Sequence, residues 1–211
     1  MKGTMNRSKP LTVAVTGNAG SGKTRVCRRF KELGASVIDL DILARESVAP
    51  QSPVYQEVLK HFGDRIVDSS GNLDRGLLRS RAIRDKTARK QLESIIHPEI
   101  TRRMIAEIEK ASRSEIDMVI VEVPLLFEVG MERTFDLVIL VMSIPETEID
   151  RIVKRDRITE EDARLLLEAQ MPDDVKKDRS DFIITNTGSD QELIQRVDQI
   201  YKKLQNYLKN C

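Results

Sequence analysis

The stretch Leu11-Thr12-Val13-Ala14-Val15-Thr16-Gly17-Asn18-Ala19-Gly20-Ser21-Gly22-Lys23-Thr24 carries two signals in direct succession. The first half is a short, mostly β-branched apolar run, which reads as a buried strand. The second half, Gly17 to Thr24, matches the phosphate-loop pattern at every defined position. Beyond it, Val26, Phe30 and Leu33 recur at helical steps, so the loop opens a helix over Lys23 to Leu33. In such a loop the glycines let backbone amides wrap anionic oxygens, and the helix N-terminus adds positive potential. Lys23 reaches the terminal phosphates, and the Thr24 hydroxyl is placed for Mg²⁺. A plain glycine turn needs neither lysine nor hydroxyl. Their presence at the right spacing favours a nucleotide site.

Working outward, three further apolar runs read as strands: Met118 to Val123, Leu137 to Met142 and Phe182 to Thr185, with a weaker candidate at Ser36 to Asp39. The runs are continuous and not alternating, as expected for strands covered on both faces. Parallel strands need crossover helices, so the fold class is α/β. Ser189 and Glu192 form a capping-box pattern ahead of the stripe Leu193, Val197, Ile200, Leu204 and Leu208. Thr159 and Asp162 open a shorter helix in the same way. Between the second and third strands, Ile42 to Ile116 is strongly helical and too long for a simple crossover, which predicts a helical cap over the ligand edge.

Composition narrows the function classes. The 211 residues hold 35 Lys and Arg against 34 Asp and Glu, a net charge of +1. That balance provides no long-range field to gather nucleic acid or an anionic membrane, so anions bind at a local site. Aromatics are 4% with no Trp, too sparse for base-stacking platforms. Two cysteines, Cys27 and Cys211, can build neither a disulfide framework nor a zinc site. Met1 to Pro10 is a polar, basic tail without a signal-peptide core, and the longest apolar run, Leu137 to Met142, is far shorter than the ~20 residues of a membrane helix. A cytoplasmic monomer without nucleic-acid or membrane partners is expected.

Two more clusters carry candidate chemistry. Asp39 and Asp41 lie at the end of the second strand candidate, the edge where parallel sheets gather ligands. On an extended segment both carboxylates would share a face, and one could accept the proton of an acceptor hydroxyl. Asp41 reads equally well as a helix N-cap before Ile42-Leu43-Ala44-Arg45. In Arg151 to Arg157, Arg151 and Arg155 are one helical turn apart and could both reach phosphoryl oxygens, whereas Asp150 with Lys154 would make an ordinary solvated pair. A GTPase is disfavoured, because Leu137 to Met142 is followed by Ser143-Ile144-Pro145 in place of a guanine-reading segment. Asp68-Ser69-Ser70-Gly71 reads as a turn. A nucleotide kinase and a non-kinase ATPase remain open at this level.

The order and spacing of several landmarks then single out one family. They are the loop Gly17 to Thr24, Leu33 to Asp41 followed by Ala44-Arg45, His97-Pro98, Pro124-Leu125-Leu126-Phe127-Glu128, Pro145-Glu146-Thr147 leading to Arg151, Gln170-Met171-Pro172 and Asn186-Thr187-Gly188. From Leu11 to about Tyr207 the chain resembles the dephospho-coenzyme A kinase family. The resemblance implies a P-loop nucleoside triphosphate hydrolase fold: a five-stranded parallel sheet sandwiched by helices, with a helical substrate-binding insertion and a lid. The core would comprise 11–41, 117–143 and 180–211, the substrate domain 42–116 and the lid 144–179, after a basic tail 1–10.

It also implies ATP-dependent phosphorylation of the ribose 3′-hydroxyl of dephospho-coenzyme A, with Mg²⁺. Asp41 would be the base, with Lys23 and Arg151 at the phosphates. Gly17, Asn18, Ala19, Gly20, Ser21, Gly22, Lys23, Thr24, Arg151, Arg155 and Asn186 would bind ATP. Arg45, His97, Pro124, Leu125 and Glu128 would join Asp41 around the substrate. Thr24 would hold the metal, with Asp39 acting through water, and Lys176 is a further lid residue. His97 reads otherwise as a hydrogen-bonded histidine before a helix-starting proline. Departures from the family pattern are Asn18 and Ala19 in place of Gly-Ile, Thr24 for Ser, Arg25 for Thr, Glu122 for Asp, and the acidic Asp173-Asp174.

Overall fold

The computed structural model describes residues 9–114 and 116–210. Most of the basic tail and Cys211, expected to be exposed and incidental, lie outside the described residues. The described chain forms two compact units, one built from the residues through Asp39 together with those from Ile108 onward, the other from Leu40–Glu107.

In the first unit the strands are β1 (Leu11–Thr16), β2 (Ser36–Asp39), β3 (Met118–Glu122), β4 (Leu137–Met142) and β5 (Phe182–Thr185). They form one parallel sheet in the order β2-β3-β1-β4-β5. Every residue of β3 is buried, and all of β4 except Met142, which explains their unbroken apolar sequences. On one face, Leu11, Val13 and Val15 pack with Val26 and Phe30 of α1 (Lys23–Glu32) and with Leu193, Val197, Ile200 and Leu204 of α9 (Asp190–Asn210). The capping box of α9 forms as expected: the Glu192 amide donates to Ser189 Oγ at 3.3 Å, and the Ser189 amide donates to Glu192 Oε2 at 2.9 Å. The crossover after β1 leads to one side of the sheet and that after β4 to the other, so the loop after β1, which lies between β3 and β4, opens at the topological switch point.

After β4 come α6 (Pro145–Asp156), α7 (Glu160–Glu168) and α8 (Asp173–Lys177). Thr159 caps α7, accepting from the Asp162 amide. Ile149, Ile152 and Ala163 form a small core of their own with α6 and α7 around them.

The second unit holds α2 (Leu40–Ser47), α3 (Pro53–Phe62), α4 (Arg75–Arg84) and most of α5 (Lys86–Arg113). Its core is Val54, Tyr55, Val58, Phe62, Ile66, Leu73, Leu78, Ala88 and Ile95. The Asp68 segment is a turn, with Asp68 Oδ1 accepting from the Ser70 and Asn72 amides.

Two local expectations are corrected. Helix α2 starts at Leu40, immediately after β2, so Asp41 sits in the first helical turn and not on an extended segment alternating with Asp39. Local helix formation won because Leu40, Leu43 and Ser47 form a buried stripe at three- and four-residue steps. Pro98 does not start a helix. It lies inside α5, whose Ile95 and Met104 are buried on either side of it, and that burial outweighs the ~3 kcal/mol cost of an interior proline.

Candidate active site

The segment Gly17 to Gly22 joins β1 to α1 without regular structure. Its glycines answer to space as well as to conformation. A Cβ on Gly17 (φ +145°) would stand 2.1 Å from the Val141 carbonyl oxygen of β4, and one on Gly20 would stand 2.5 Å from the Glu148 carbonyl oxygen of α6. Gly22 caps α1 in the left-handed region, its would-be Cβ 2.3 Å from Asn186 Nδ2. No acidic residue occupies the first turn of α1 and no side chain caps it, so nothing with a negative charge competes for the helix's N-terminal amides there.

Lys23 is buried, and its ammonium donates to Gly17 O at 3.0 Å and Asn18 O at 2.9 Å. The charge is thus held over the loop by the loop's own carbonyls. From α6, Arg151 Nη1 donates to Gly20 O at 2.9 Å and to Ser143 Oγ at 3.4 Å, and Ser143 Oγ in turn donates to Asn186 O at 2.9 Å. Asn186, just beyond β5, donates from Nδ2 to Ser21 O at 2.8 Å. Two sequence-distant residues, Arg151 and Asn186, therefore hold carbonyls of the loop. Gly22, Thr24, Arg25, Arg28, Arg151 and Asn186 line a cavity of about 320 Å³ beside it.

On the opposite flank, Thr24 Oγ1 donates to Glu122 Oε1 at 2.8 Å. Glu122 ends β3 in register with Asp39 of β2. Burial pushes the neighbouring Cys27 thiol well up, and the Glu122 carboxylate, to which it donates, pushes it further. Cys27 is a protonated packing residue, not a nucleophile. Hydroxyl and carboxylate oxygens suit Mg²⁺, which takes one or two carboxylates and completes its shell with water and phosphate. Thr24 and Glu122, with Asp39 in register, thus fit the expected metal by the chemistry of their donors.

A fourth set of contacts links the loop to the segment after β4. Lys176 of α8 is fully buried, its ammonium 2.7 Å from Asn18 Oδ1 and 3.4 Å from Glu128 Oε1. Asn18 Nδ2 donates to Glu148 Oε2 at 3.4 Å, and the Ala19 amide donates to Gln170 Oε1 at 2.9 Å. Glu128 also accepts from the Met171 amide. Glu148 is 1% exposed, and burial followed by repulsion from Asp173 raises its carboxyl to about 7.

The loop, Lys23, Thr24, Arg151, Asn186 and Glu128 are therefore brought together in one unit, along with Lys176. Arg155 is not: one turn further along α6, it is exposed and pairs with Asp156 at 2.8 Å. Pro124 and the exposed Leu125 lie in the turn after β3. Asp41, Arg45 and His97 belong to the second unit. Glu122, Ser143 and Glu148 were not among the expected site residues. A carboxylate ending a wholly apolar strand beside the phosphate-loop strand was the available signal for Glu122. Glu148 resembles any first-turn helix glutamate, and nothing in the sequence marks its burial.

This fold and site define a phosphate-loop kinase type of protein, with a loop lysine, a strand-end carboxylate and an arginine from a following helix around one glycine-rich loop. The sequence model of the dephospho-CoA kinase family matches residues 11–192. The dephospho-CoA kinase of Bacillus licheniformis is 34% identical over 190 residues, covering 90% of this chain and 94% of the relative. That of Shewanella oneidensis is 37% identical over 193 residues, covering 92% and 93%. Among solved structures, the dephospho-CoA kinase from Campylobacter jejuni superposes with a TM-score of 0.68 at 25% identity, covering 92% of this chain and 96% of that one. Shikimate kinase from Acinetobacter baumannii, at a TM-score of 0.52 and 18% identity over 92% and 94% of the two chains, shares the fold. The chain belongs to the dephospho-CoA kinase family.

Proposed function

We propose that this protein transfers the γ-phosphoryl group of ATP to the ribose 3′-hydroxyl of dephospho-coenzyme A, giving coenzyme A and ADP. The carrying observation, beside family membership, is that Lys23 and Arg151, far apart in the sequence, both hold carbonyls of the same loop. Phosphoryl transfer needs little covalent chemistry from the protein, so positioning and electrostatics dominate.

In this reading the amides of Gly20 to Thr24 wrap the polyphosphate, and Lys23 exchanges its loop carbonyls for terminal phosphate oxygens. Arg151, kept in place by Gly20 and Ser143, meets charge that builds on the transferring group. Asn186 maintains the turn at Ser21 beside the purine. Thr24 and Glu122, with Asp39 through water, would hold Mg²⁺, which when bound supplies charge neutralisation at the phosphates. Asp41 orients the acceptor hydroxyl and takes its proton. Arg45, His97, Pro124, Leu125 and Glu128 shape the substrate cavity, with 42–116 as the substrate domain and 144–179 as the lid.

The direct test is incubation with Mg-ATP and dephospho-coenzyme A, followed by mass analysis for ADP and coenzyme A. Stoichiometric appearance of both is expected. ATP hydrolysis without a new phosphorylated product would refute the reading.

A further inference from the structure

Glu148 is the least expected group near the loop. It is 1% exposed, one carboxylate oxygen faces Asn18 Nδ2 at 3.4 Å, and the other, Oε1, is buried with no hydrogen-bond partner. Asp173 at the start of α8 likewise has a buried, unpartnered Oδ1. Leaving such oxygens unpaired is costly, so a positive environment or a proton must compensate.

The surroundings supply both possibilities. Lys23 of α1, which also holds Asn18 O, attracts Glu148 from the loop side, and Lys176 of α8, which holds Asn18 Oδ1, attracts it from the other. Asp173 of α8 repels it. On its own helix, Arg151 is committed to Gly20 and Ser143. Glu128, after β3, shares Lys176. Two ammonium groups are thus divided among several carboxylates, with Asn18 as the hub that touches Lys176, Glu148 and Lys23 at once.

We propose that Glu148 is a proton-coupled positioning residue: when polyphosphate enters the loop and draws Lys23 and Lys176 to itself, Glu148 takes up a proton and remains packed as a neutral acid. The balance is one proton given up by a buffer acid in solution, whose conjugate base remains there, and added to one carboxylate oxygen of Glu148; no bond within the protein breaks. The alternative to protonation would be expulsion of the side chain, which would pull α6 off Gly20, where the Glu148 backbone already abuts the loop, and with it Arg151. The buried carboxyl, raised to about 7, can exchange its proton near neutrality at small cost. Neutral Glu148 would keep Arg151 in place; ionised Glu148 would oppose the incoming phosphates.

The inference rests on the reading of Gly17 to Thr24 as the polyphosphate seat. It is tested by calorimetric titration of the full chain with Mg-ADP in two buffers of unequal ionisation heat, from pH 6 to 8. The parent should take up roughly 0.5 proton at pH 7, because a group half-ionised at its midpoint becomes fully protonated. Glu148→Gln should take up none and lose the pH dependence of affinity. Asp173→Asn removes a repulsion that raises Glu148, so the midpoint should move to lower pH; this variant decides the matter even if Glu148→Gln folds poorly. Normal binding heat with no proton uptake by the parent, or equal uptake in Glu148→Gln, overturns the role of Glu148 and leaves the loop reading intact. Absence of any binding heat overturns the loop reading and the inference together.

Discussion

Thr24 Oγ1 donates to Glu122 Oε1 across 2.8 Å, tying the last residue of the phosphate loop to the end of β3. The loop hydroxyl is thereby oriented by a buried carboxylate whose strand neighbour in register is Asp39. If these oxygens hold Mg²⁺, Glu122→Gln should raise the Mg²⁺ concentration needed for half-maximal activity by about 10-fold or more, the scale of lost metal-site partners. Affinity for metal-free nucleotide should be unchanged. A Mg²⁺ titration of initial rates checks this, and an unshifted curve would remove Glu122 from the metal site.

Replacing the proposed base, Asp41→Asn, keeps the shape of the first turn of α2 and removes the proton acceptor. Turnover should fall on the order of 10²-fold or more, the usual contribution of a positioned base. Steady-state kinetics with dephospho-coenzyme A decides it; a loss of only a few-fold sinks the assignment.

Arg151→Lys retains the charge but not the guanidinium, whose Nη1 holds Gly20 O and Ser143 Oγ while its other N–H groups stay available to a phosphoryl group. The expected loss is about 10²-fold in kcat with a much smaller change in KM for ATP, because the interaction strengthens as charge develops. An effect confined to KM would make Arg151 a binding residue only.

Alanine at Gly17 should be harsher than alanine at Gly22. Both positions have positive φ, but the Gly17 Cβ would meet a backbone carbonyl of the central sheet, whereas the Gly22 Cβ would meet the movable amide of Asn186. Gly22→Ala should cost roughly 1–3 kcal/mol, with Gly17→Ala beyond that range. Denaturant unfolding at equilibrium ranks the two, and the reverse order would contradict the packing described.

The Glu148 carboxyl is raised in the folded chain, so the folded state holds its proton more tightly than the unfolded one. Its effect on stability is therefore neutral below the ordinary carboxyl range. Destabilisation grows as pH climbs from that range to about 7, and is complete above it. Glu148→Gln, which mimics the protonated acid, should match the parent at pH 4 and exceed it by ~3–4 kcal/mol at pH 8, since each tenfold gain in proton affinity on folding is worth about 1.4 kcal/mol. Melting curves at the two pH values provide the comparison. A variant less stable than the parent at pH 8 would show that the ionised form is the better-accommodated one.

Much of this protein is set by residues close in sequence. The loop Gly17 to Thr24, the strand before it and the helix after it are a contiguous unit whose geometry follows from local conformational preference, and the unbroken apolar runs announced a sheet covered on both faces. The boundaries of β2, β4 and β5 and the capping box at Ser189 follow from the same short-range logic. Where local signals were balanced, tertiary packing decided. Burial of Leu40 and Leu43 drew Asp41 into a helix, and burial along α5 carried it through Pro98.

What the sequence by itself determined is the fold class, the glycine-rich loop between its strand and helix, and the family, because each depends on neighbouring residues or on motifs in a set order. Only the tertiary structure decided that Arg151 faces the loop while Arg155 pairs at the rim, that Glu122 meets Thr24, and that Lys176 and Glu148 are buried around Asn18. The physical reason is that a charged residue's role depends on its desolvation and its partners. Those are set by residues distant in the chain, which no local pattern reports.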